Sequence, residues 1–211
     1  MELQFFGANC VRISTKKANV VVDDNLSSLG LKTACKPGDI ALFTHESTAD
    51  AQKLKDPKLV IQIPGEYEVS AVSVRAISVR SHMDEEGQQS AVMYKIINSG
   101  INVAVVGHIH PDLTEEQLES LGMVDVLFVP VGGNGYTLDA IGALKIIKKI
   151  EPKIIIPTHY ADKAIKYEVP QADLDEVMKN VTFEIKEKLP KLKLKNTDLP
   201  LTPEFIVLER Q

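Results

Sequence analysis

The order of the predicted secondary-structure elements constrains the fold of this 211-residue chain more than any other feature. The first half reads mostly as short strands, rich in β-branched and aromatic residues and separated by turn residues. From LTEEQLESLG onward, buried strands alternate with helices. Two packed sheets flanked by helices satisfy this order, so the sequence predicts an α/β sandwich.

Three segments of the second half predict helices. LTEEQLESLG has Thr114 as N-cap, Gln117 to complete a capping box and Gly122 as its end. TLDAIGALKIIKKIEP predicts a longer helix, and ADLDEVMKN a further short one. The residues predicted to form the apolar face of the longer helix are Leu138, Ile141, Leu144 and Ile147.

The strand predictions include one hairpin and two strands near sheet edges. SAVMYKIINSGINVAVVG predicts a hairpin that turns at Asn98-Ser99-Gly100. Neither face of VSVRAISVR is cleanly apolar, which places this strand near an edge. KLKLK carries Lys191, Lys193 and Lys195 on one face, and we interpret it as a charged edge strand that resists aggregation.

Composition and charge narrow the class of protein. The length suits a single domain over residues 1–211, which can bury a core without disulfides or structural metal ions. A bound metal ion would therefore have a catalytic rather than a structural role. The net charge of −5 argues against nucleic-acid binding. Cys10 and Cys35 lie in unrelated contexts and predict no disulfide framework. Neither a signal peptide nor a membrane span is recognisable, and we expect a cytoplasmic protein.

Four of the five histidines lie just beyond predicted strands. His45 follows IALFT, His82 follows AISVRS, His108 follows INVAVVG and His159 follows KIIIPT. Because the ends of neighbouring strands gather at one edge of a sheet, these imidazoles can converge on a metal ion. The alternative is that each is an isolated surface histidine, which is our interpretation of His110.

Two loops add candidate functional residues. PVGGNGYTLDA joins a strand to a helix, and Gly132, Gly133 and Thr137 are candidates to bind an anionic group of a substrate. A plain strand-to-helix connection is the alternative. IPGEYEV places Glu66 and Glu68 after a turn, where solvated carboxylates are the simpler interpretation.

Several segments, in their order along the chain, resemble the metallo-β-lactamase superfamily. They are FFGANCVRIST, VVVDD, DIALFTHE, PGEYEVSAVSV, PVGGNGYTLDA and IIIPTHY. The resemblance is greatest to its branch of small zinc-dependent hydrolases, which includes the ascorbate-6-phosphate lactonases, and it covers nearly the whole chain. It implies a four-layer αββα sandwich with a metal site along one edge of the two sheets.

The metal motif of this family, T-H-x-H-x-D-H, is only partly matched. His45 keeps the first histidine of the motif. Ser47 replaces the second histidine, Ala49 replaces the aspartate, and Asp50 replaces the last histidine. The aspartate that orients the attacking water in the family is therefore missing.

The later ligands of the family are partly retained. His82 and His159 match ligand positions, and His108 stands where the family has an aspartate that bridges two metals. The resemblance thus implies one divalent metal, zinc first with iron or manganese as alternatives, held by Asp50, His108 and His159. His45 and His82 are further candidate ligands.

Two functions follow from this set of residues. The first is a metal-dependent hydrolase with a remodelled mononuclear site that acts on a small-molecule ester, lactone or phosphoester. The second is a non-catalytic descendant of the fold that serves as a binding scaffold. Nucleic-acid processing is disfavoured, because family members with that activity usually carry extra domains. The oligomeric state is open, and a homo-oligomer is one option.

Overall fold

In a computed structural model, described for residues 1–46, 51–181 and 183–211, the chain forms two mixed β-sheets that pack face to face. The six strands of the first sheet are β1 (Glu2–Gly7), β2 (Cys10–Ser14), β3 (Asn19–Val22), β4 (Ile40–Leu42), β5 (Leu59–Ile61) and β13 (Leu192–Lys193). The eight strands of the second are β6 (Gly65–Val69), β7 (Val72–Val79), β8 (Ala91–Asn98), β9 (Ile101–Val105), β10 (Val126–Pro130), β11 (Ile154–Thr158), β12 (Ile185–Leu189) and β14 (Glu204–Leu208).

The strand directions bring the loops of both sheets to one edge. The first sheet has the order β13-β1-β2-β3-β4-β5, and β3, β4 and β5 are parallel. The second has the order β12-β14-β11-β10-β9-β8-β7-β6, and β9, β10, β11 and β14 are parallel. Since β7 and β9 both pair antiparallel with β8, β7 ends at the same edge as β9.

The inner faces of the two sheets form the main core. It is made of branched aliphatic and aromatic side chains drawn from nearly every strand, from Leu3 near the start to Leu208 near the end. Buried strands flanked by partners on both faces lose the alternation of polar and apolar residues, and β10 and β11 are buried at every position. A chain with 44% hydrophobic residues supplies this interior without disulfides, and both cysteines are free.

Helices cover the outer face of the eight-stranded sheet. The three α-helices of the described residues are α1 (Glu115–Leu121), α2 (Ala140–Ile150) and α3 (Leu174–Asn180), and a second core lies beneath them. Over the six-stranded sheet, the described residues form loops and a 3₁₀ turn at Ala51–Lys53 rather than an α-helix. The predicted sandwich of two sheets between outer layers is confirmed.

The local predictions for α1 are confirmed, and one prediction for α2 is wrong. Thr114 and Gln117 form a capping box, and Gly122 ends α1. Helix α2 begins after its N-cap Asp139, so its buried stripe is shifted from the predicted one. Ile141 is consequently 71% exposed, although the sequence pattern placed it on the apolar face. The residues of α2 that are buried are Ala140, Gly142, Ala143, Ile146, Ile147 and Ile150.

The hairpin and edge predictions hold, with one correction. Asn98 pairs with Ile101, and Ser99 and Gly100 both have positive φ, as a two-residue type I′ turn requires. β7 lies second from the edge of its sheet, and β13 is an edge strand. Glu66 and Glu68 lie in β6 opposite Arg75 and Ser73, so they are exposed strand residues rather than turn residues. No helix in the described part is long and apolar enough to cross a membrane.

A buried ion pair links the middle of β2 to the loop before β4. The guanidinium of Arg12 lies 2.9 Å from Oδ2 of Asp39, and both side chains are at least nine-tenths buried. Arg12 also donates to the carbonyl of Ala34, and the backbone N–H of Lys36 donates to Asp39. Removing one partner would leave the other charge buried and unpaired.

We therefore expect Asp39→Ala to lower the free energy of unfolding by about 3–5 kcal/mol. The exposed pair of Glu66 and Arg75 is the matched control, and Glu66→Ala should cost less than about 1 kcal/mol. Because the chain has no tryptophan, urea unfolding is best followed by circular dichroism. Equal losses in the two variants would contradict a structural role for the buried pair.

Candidate metal and substrate site

The parallel run of β9, β10 and β11 positions the candidate site. His108 lies three residues beyond β9, Gly132 lies two beyond β10, and His159 directly follows β11. Because these strands are neighbours and end at the same edge, their loops meet there. The expected convergence of strand-end histidines is thus met by His108 and His159.

His108 and His159 form a buried pair of imidazoles. Their ring centroids lie 4.6 Å apart with an interplanar angle of 82°, and the residues are 7% and 3% exposed. Burial, followed by the neighbouring charges of His159, His45 and His82, lowers the pKa of His108 well below its ordinary value. Burial also lowers the pKa of His159, to about 4. Both rings are therefore neutral near pH 7, which is the form that binds a metal.

Ring nitrogens of these buried histidines are available to bind a metal ion. Nδ1 of His108 is buried and has no hydrogen-bond partner among the described residues. The same holds for Nδ1 of His82 within residues 1–46, 51–181 and 183–211. A buried nitrogen without a partner carries a free-energy cost that a bound metal ion would remove.

The described residues do not complete a metal site by themselves. Within those ranges, no group of three or more histidine, cysteine, aspartate or glutamate side chains could hold a metal ion. The predicted ligand Asp50 lies outside the described residues, as do Ser47 and Ala49. If His108 and His159 are ligands, they provide two donors, and a further donor has to come from elsewhere in the chain or from solvent.

His45 is engaged by a polar network. Its Nε2 lies 3.1 Å from Oγ of Ser90, and that hydroxyl donates to Oδ1 of Asp84 over 2.6 Å. Because the carboxylate of Asp84 can only accept, the oxygen of Ser90 is left to accept from Nε2–H of His45. This nitrogen is thereby directed toward Ser90 rather than toward a metal.

His82 lies between His108 and His110. Its backbone N–H donates to the carbonyl of His108 over 2.8 Å, and its ring centroid is 6.5 Å from that of His110. Burial, followed by the charge of His110, lowers the pKa of His82. His110 itself is partly buried and also contacts the exposed carboxylate of Asp112.

Two tyrosines line the histidine pair. The ring centroid of Tyr136 lies 4.9 Å from that of His108 and 5.7 Å from that of His159. Tyr167 lies 5.0 Å from His159 on another side, and its hydroxyl donates to the carbonyl of Tyr160. Burial raises the pKa of Tyr136, with smaller effects of Glu168 and Asp23, so it remains a phenol at neutral pH.

The glycine loop after β10 packs closely against the histidine pair. A β-carbon on Gly132 would lie 2.1 Å from the carbonyl oxygen of His159 and 2.4 Å from Oε1 of Gln171. Gly133 has a φ of +68° and approaches Asp139, the N-cap of α2. Oγ1 of Thr137 is buried without a hydrogen-bond partner in the described part of the chain. Substrate binding by these loop residues remains a prediction.

Sequence reasoning overlooked two residues at this site. Tyr136 lies within the glycine loop, and an aromatic residue directly after Gly135, shortly before a helix, was the signal for it. Gln171 contacts His159 across 12 positions of sequence, and its surroundings in the sequence carry no comparable signal. Only the fold brings its amide to the ring.

A second close contact joins the two sheets. A β-carbon on Gly107, directly before His108, would lie 2.3 Å from Oγ1 of Thr44, directly before His45. Thr44 is held by Asp23, which accepts from its backbone N–H over 2.7 Å and from its hydroxyl over 2.6 Å. Gly107 thus permits the loops that carry His45 and His108 to touch.

Comparison with known proteins identifies relatives over most of the chain. The family described as the beta-lactamase superfamily domain matches residues 2–159. A UPF0173 metal-dependent hydrolase of Lysinibacillus sphaericus is 23% identical, covering 76% of this chain and 85% of that protein. One from Carboxydothermus hydrogenoformans is 46% identical over 43 residues, which are 20% of this chain and 19% of that protein.

A solved structure shares the fold along its whole length. It is a Thermotoga maritima protein classed among the Zn-dependent hydrolases of the metallo-β-lactamase superfamily. It superposes with a TM-score of 0.78 at 25% identity, covering 99% of this chain and 98% of that one.

The packing at Gly132 leads to a stability prediction. Gly132→Ala should push His159 and Gln171 away from the glycine loop. Because overpacking a close contact displaces the backbone, we expect the free energy of unfolding to fall by about 3 kcal/mol. Gly135→Ala is the matched control from the same loop: nothing lies within 4 Å of its added β-carbon, and only its φ of +73° is unfavourable. We expect Gly135→Ala to lower the free energy of unfolding by about 1 kcal/mol. Thermal unfolding of the two variants distinguishes them, and a similar loss in both would contradict the steric argument.

Proposed function

The chain belongs to the metallo-β-lactamase superfamily, and on that premise we propose that it is a metal-dependent hydrolase with a remodelled, mononuclear site. The relatives named above as metal-dependent hydrolases support the activity class. The proposed substrates are small esters, lactones or phosphoesters. The proposed site lies at the shared edge of the two sheets, around His108 and His159.

One observation carries this proposal: two neutral, buried imidazoles lie 4.6 Å apart, and one has a nitrogen without a partner among the described residues. A buried histidine pair in an ordinary core would satisfy its ring nitrogens with hydrogen bonds. The buried Nδ1 of His108, just beyond the end of β9, has no such partner among the described residues. Two histidines and a carboxylate are an established donor set for zinc, iron and manganese.

We propose Asp50 as the carboxylate of this set. It belongs to the segment between His45 and the 3₁₀ turn at Ala51–Lys53, outside the described residues. The involvement of Nε2 of His45 with Ser90 supports a single metal, because the other pocket of the family then loses a ligand. His82, whose Nδ1 has no hydrogen-bond partner among the described residues, is the candidate for an additional donor.

When bound, a divalent ion supplies Lewis acidity, lowering the pKa of water and polarising a carbonyl or phosphoryl oxygen. The protein supplies orientation and a partly buried setting. The ring of Tyr136 lies against both histidines and the ring of Tyr167 against His159, which adds to the burial of the pair. The phenol of Tyr136 stays protonated, so its hydroxyl can donate to an oxygen of the substrate.

Metal binding can be tested directly. Protein purified without chelator or affinity-tag metal should contain about one equivalent of zinc, iron or manganese by elemental analysis. The double variant His108→Ala, His159→Ala should lose it, because both proposed imidazole donors are gone. His110→Ala is the matched control, since it removes a nearby histidine that contacts Asp112 instead.

Absence of metal from the unaltered protein, even after reconstitution with Zn²⁺, Fe²⁺ and Mn²⁺, would contradict the proposal that it is a metal-dependent hydrolase. The fold would then serve as a binding scaffold, in keeping with the polar network that holds His45. Circular dichroism of each variant separates loss of metal from loss of fold. Asp50→Asn tests the proposed carboxylate in the same assay.

Tyr136 provides a separate test of the active site. Tyr136→Phe keeps the ring contacts with His108 and His159 but removes the hydroxyl. On any ester, lactone or phosphoester that the protein hydrolyses, kcat/KM should fall about 10- to 100-fold, the effect of one lost hydrogen bond to a charged oxygen. The melting temperature and metal content should stay unchanged. An unaltered kcat/KM would exclude the phenol from substrate binding.

A further inference from the structure

The side chain of Gln171 lies against the ring of His159, and its orientation is determined by its own contacts. Nε2 of Gln171 donates to the carbonyl of Val169 over 2.7 Å. A carbonyl oxygen can only accept, so the amide nitrogen has to be the atom that faces it. The amide oxygen of Gln171 therefore faces Nδ1 of His159, at 3.1 Å.

The backbone around Gln171 is held on both sides by the glycine loop. The side-chain amide of Asn134 donates to the carbonyl of Pro170, and the backbone N–H of Ala172 donates to the carbonyl of Gly132 over 2.9 Å. Gly132 has no β-carbon, which leaves room for Oε1 of Gln171 beside it. The position of the amide oxygen is consequently built into the packing of the loop.

His159 is constrained in the same way. It has a φ of +51°, which is uncommon for a residue other than glycine, and its backbone N–H donates to the carbonyl of Ala8 over 2.8 Å. Such a conformation persists only where the surroundings enforce it, and it is often found at functional sites. Both partners of the contact are thus fixed before any ligand binds.

We propose that Gln171 is a positioning residue that selects the Nδ1–H tautomer of His159 and turns the lone pair of Nε2 toward the proposed metal. The amide oxygen can only accept, so Nδ1 must carry the proton. The neutral ring then has its one lone pair on Nε2. A partner on the distal nitrogen orients a ligating histidine and raises its basicity. This inference rests on the proposed function, because it assigns His159 as a ligand.

The tautomer is measurable without metal. Long-range ¹H–¹⁵N correlation spectra of the histidine rings in the metal-free protein should show His159 protonated at Nδ1, with His159→Phe identifying its signals. Gln171→Met removes the acceptor at similar volume and should shift the ring toward the Nε2–H form. Gln171→Glu keeps an acceptor oxygen and should retain the Nδ1–H form. A Zn²⁺ titration should show affinity reduced about 10- to 100-fold in Gln171→Met.

The inference is overturned if His159 of the unaltered protein carries its proton on Nε2. It is also overturned if Gln171→Met leaves the tautomer or the Zn²⁺ affinity unchanged while circular dichroism shows an intact fold. Failure of the proposed function looks different: the unaltered protein would bind no divalent metal, while the ring spectra would still report the tautomer.

Discussion

Two glycines that leave no room for a β-carbon allow the site to assemble. Gly107 lets the loop after β9 touch Thr44 of the opposite sheet, and Gly132 lets the loop after β10 press against His159. No other residue fits either position without displacing its neighbours. The nearest atom would lie 2.3 Å from a β-carbon added to Gly107 and 2.1 Å from one added to Gly132. Close packing of this kind transmits small displacements, so the positions of both histidines depend on it.

The histidines are held to different degrees, and this difference shapes the site. His159 is fixed by its backbone conformation, by Ala8 and by Gln171. His108 is buried beside it and keeps one nitrogen without a partner among the described residues. His45, by contrast, belongs to a network with Ser90 and Asp84. This difference is the reason for placing the proposed single metal at the histidine pair.

Much of the fold was predictable because its signals are local. Thr114 and Gln117 cap α1 by a contact across three residues, and Ser99-Gly100 adopts the turn that a short hairpin demands. The apolar face of α2 was mispredicted at Ile141 because periodicity alone does not locate the first residue of a helix. Asp139 is the N-cap of α2, which begins at Ala140, so Leu138 lies outside the helix and a face counted from it misplaces Ile141.

Short segments read in order were enough to predict the strand-end positions of four histidines and the family resemblance. Which of these histidines meet depends on how the strands assemble. His108 and His159 touch because β9, β10 and β11 are parallel neighbours, which no local pattern encodes. The contacts of Gln171 and Tyr136 with the histidines likewise depend on packing, since they arise from loops that the assembled sheets bring together.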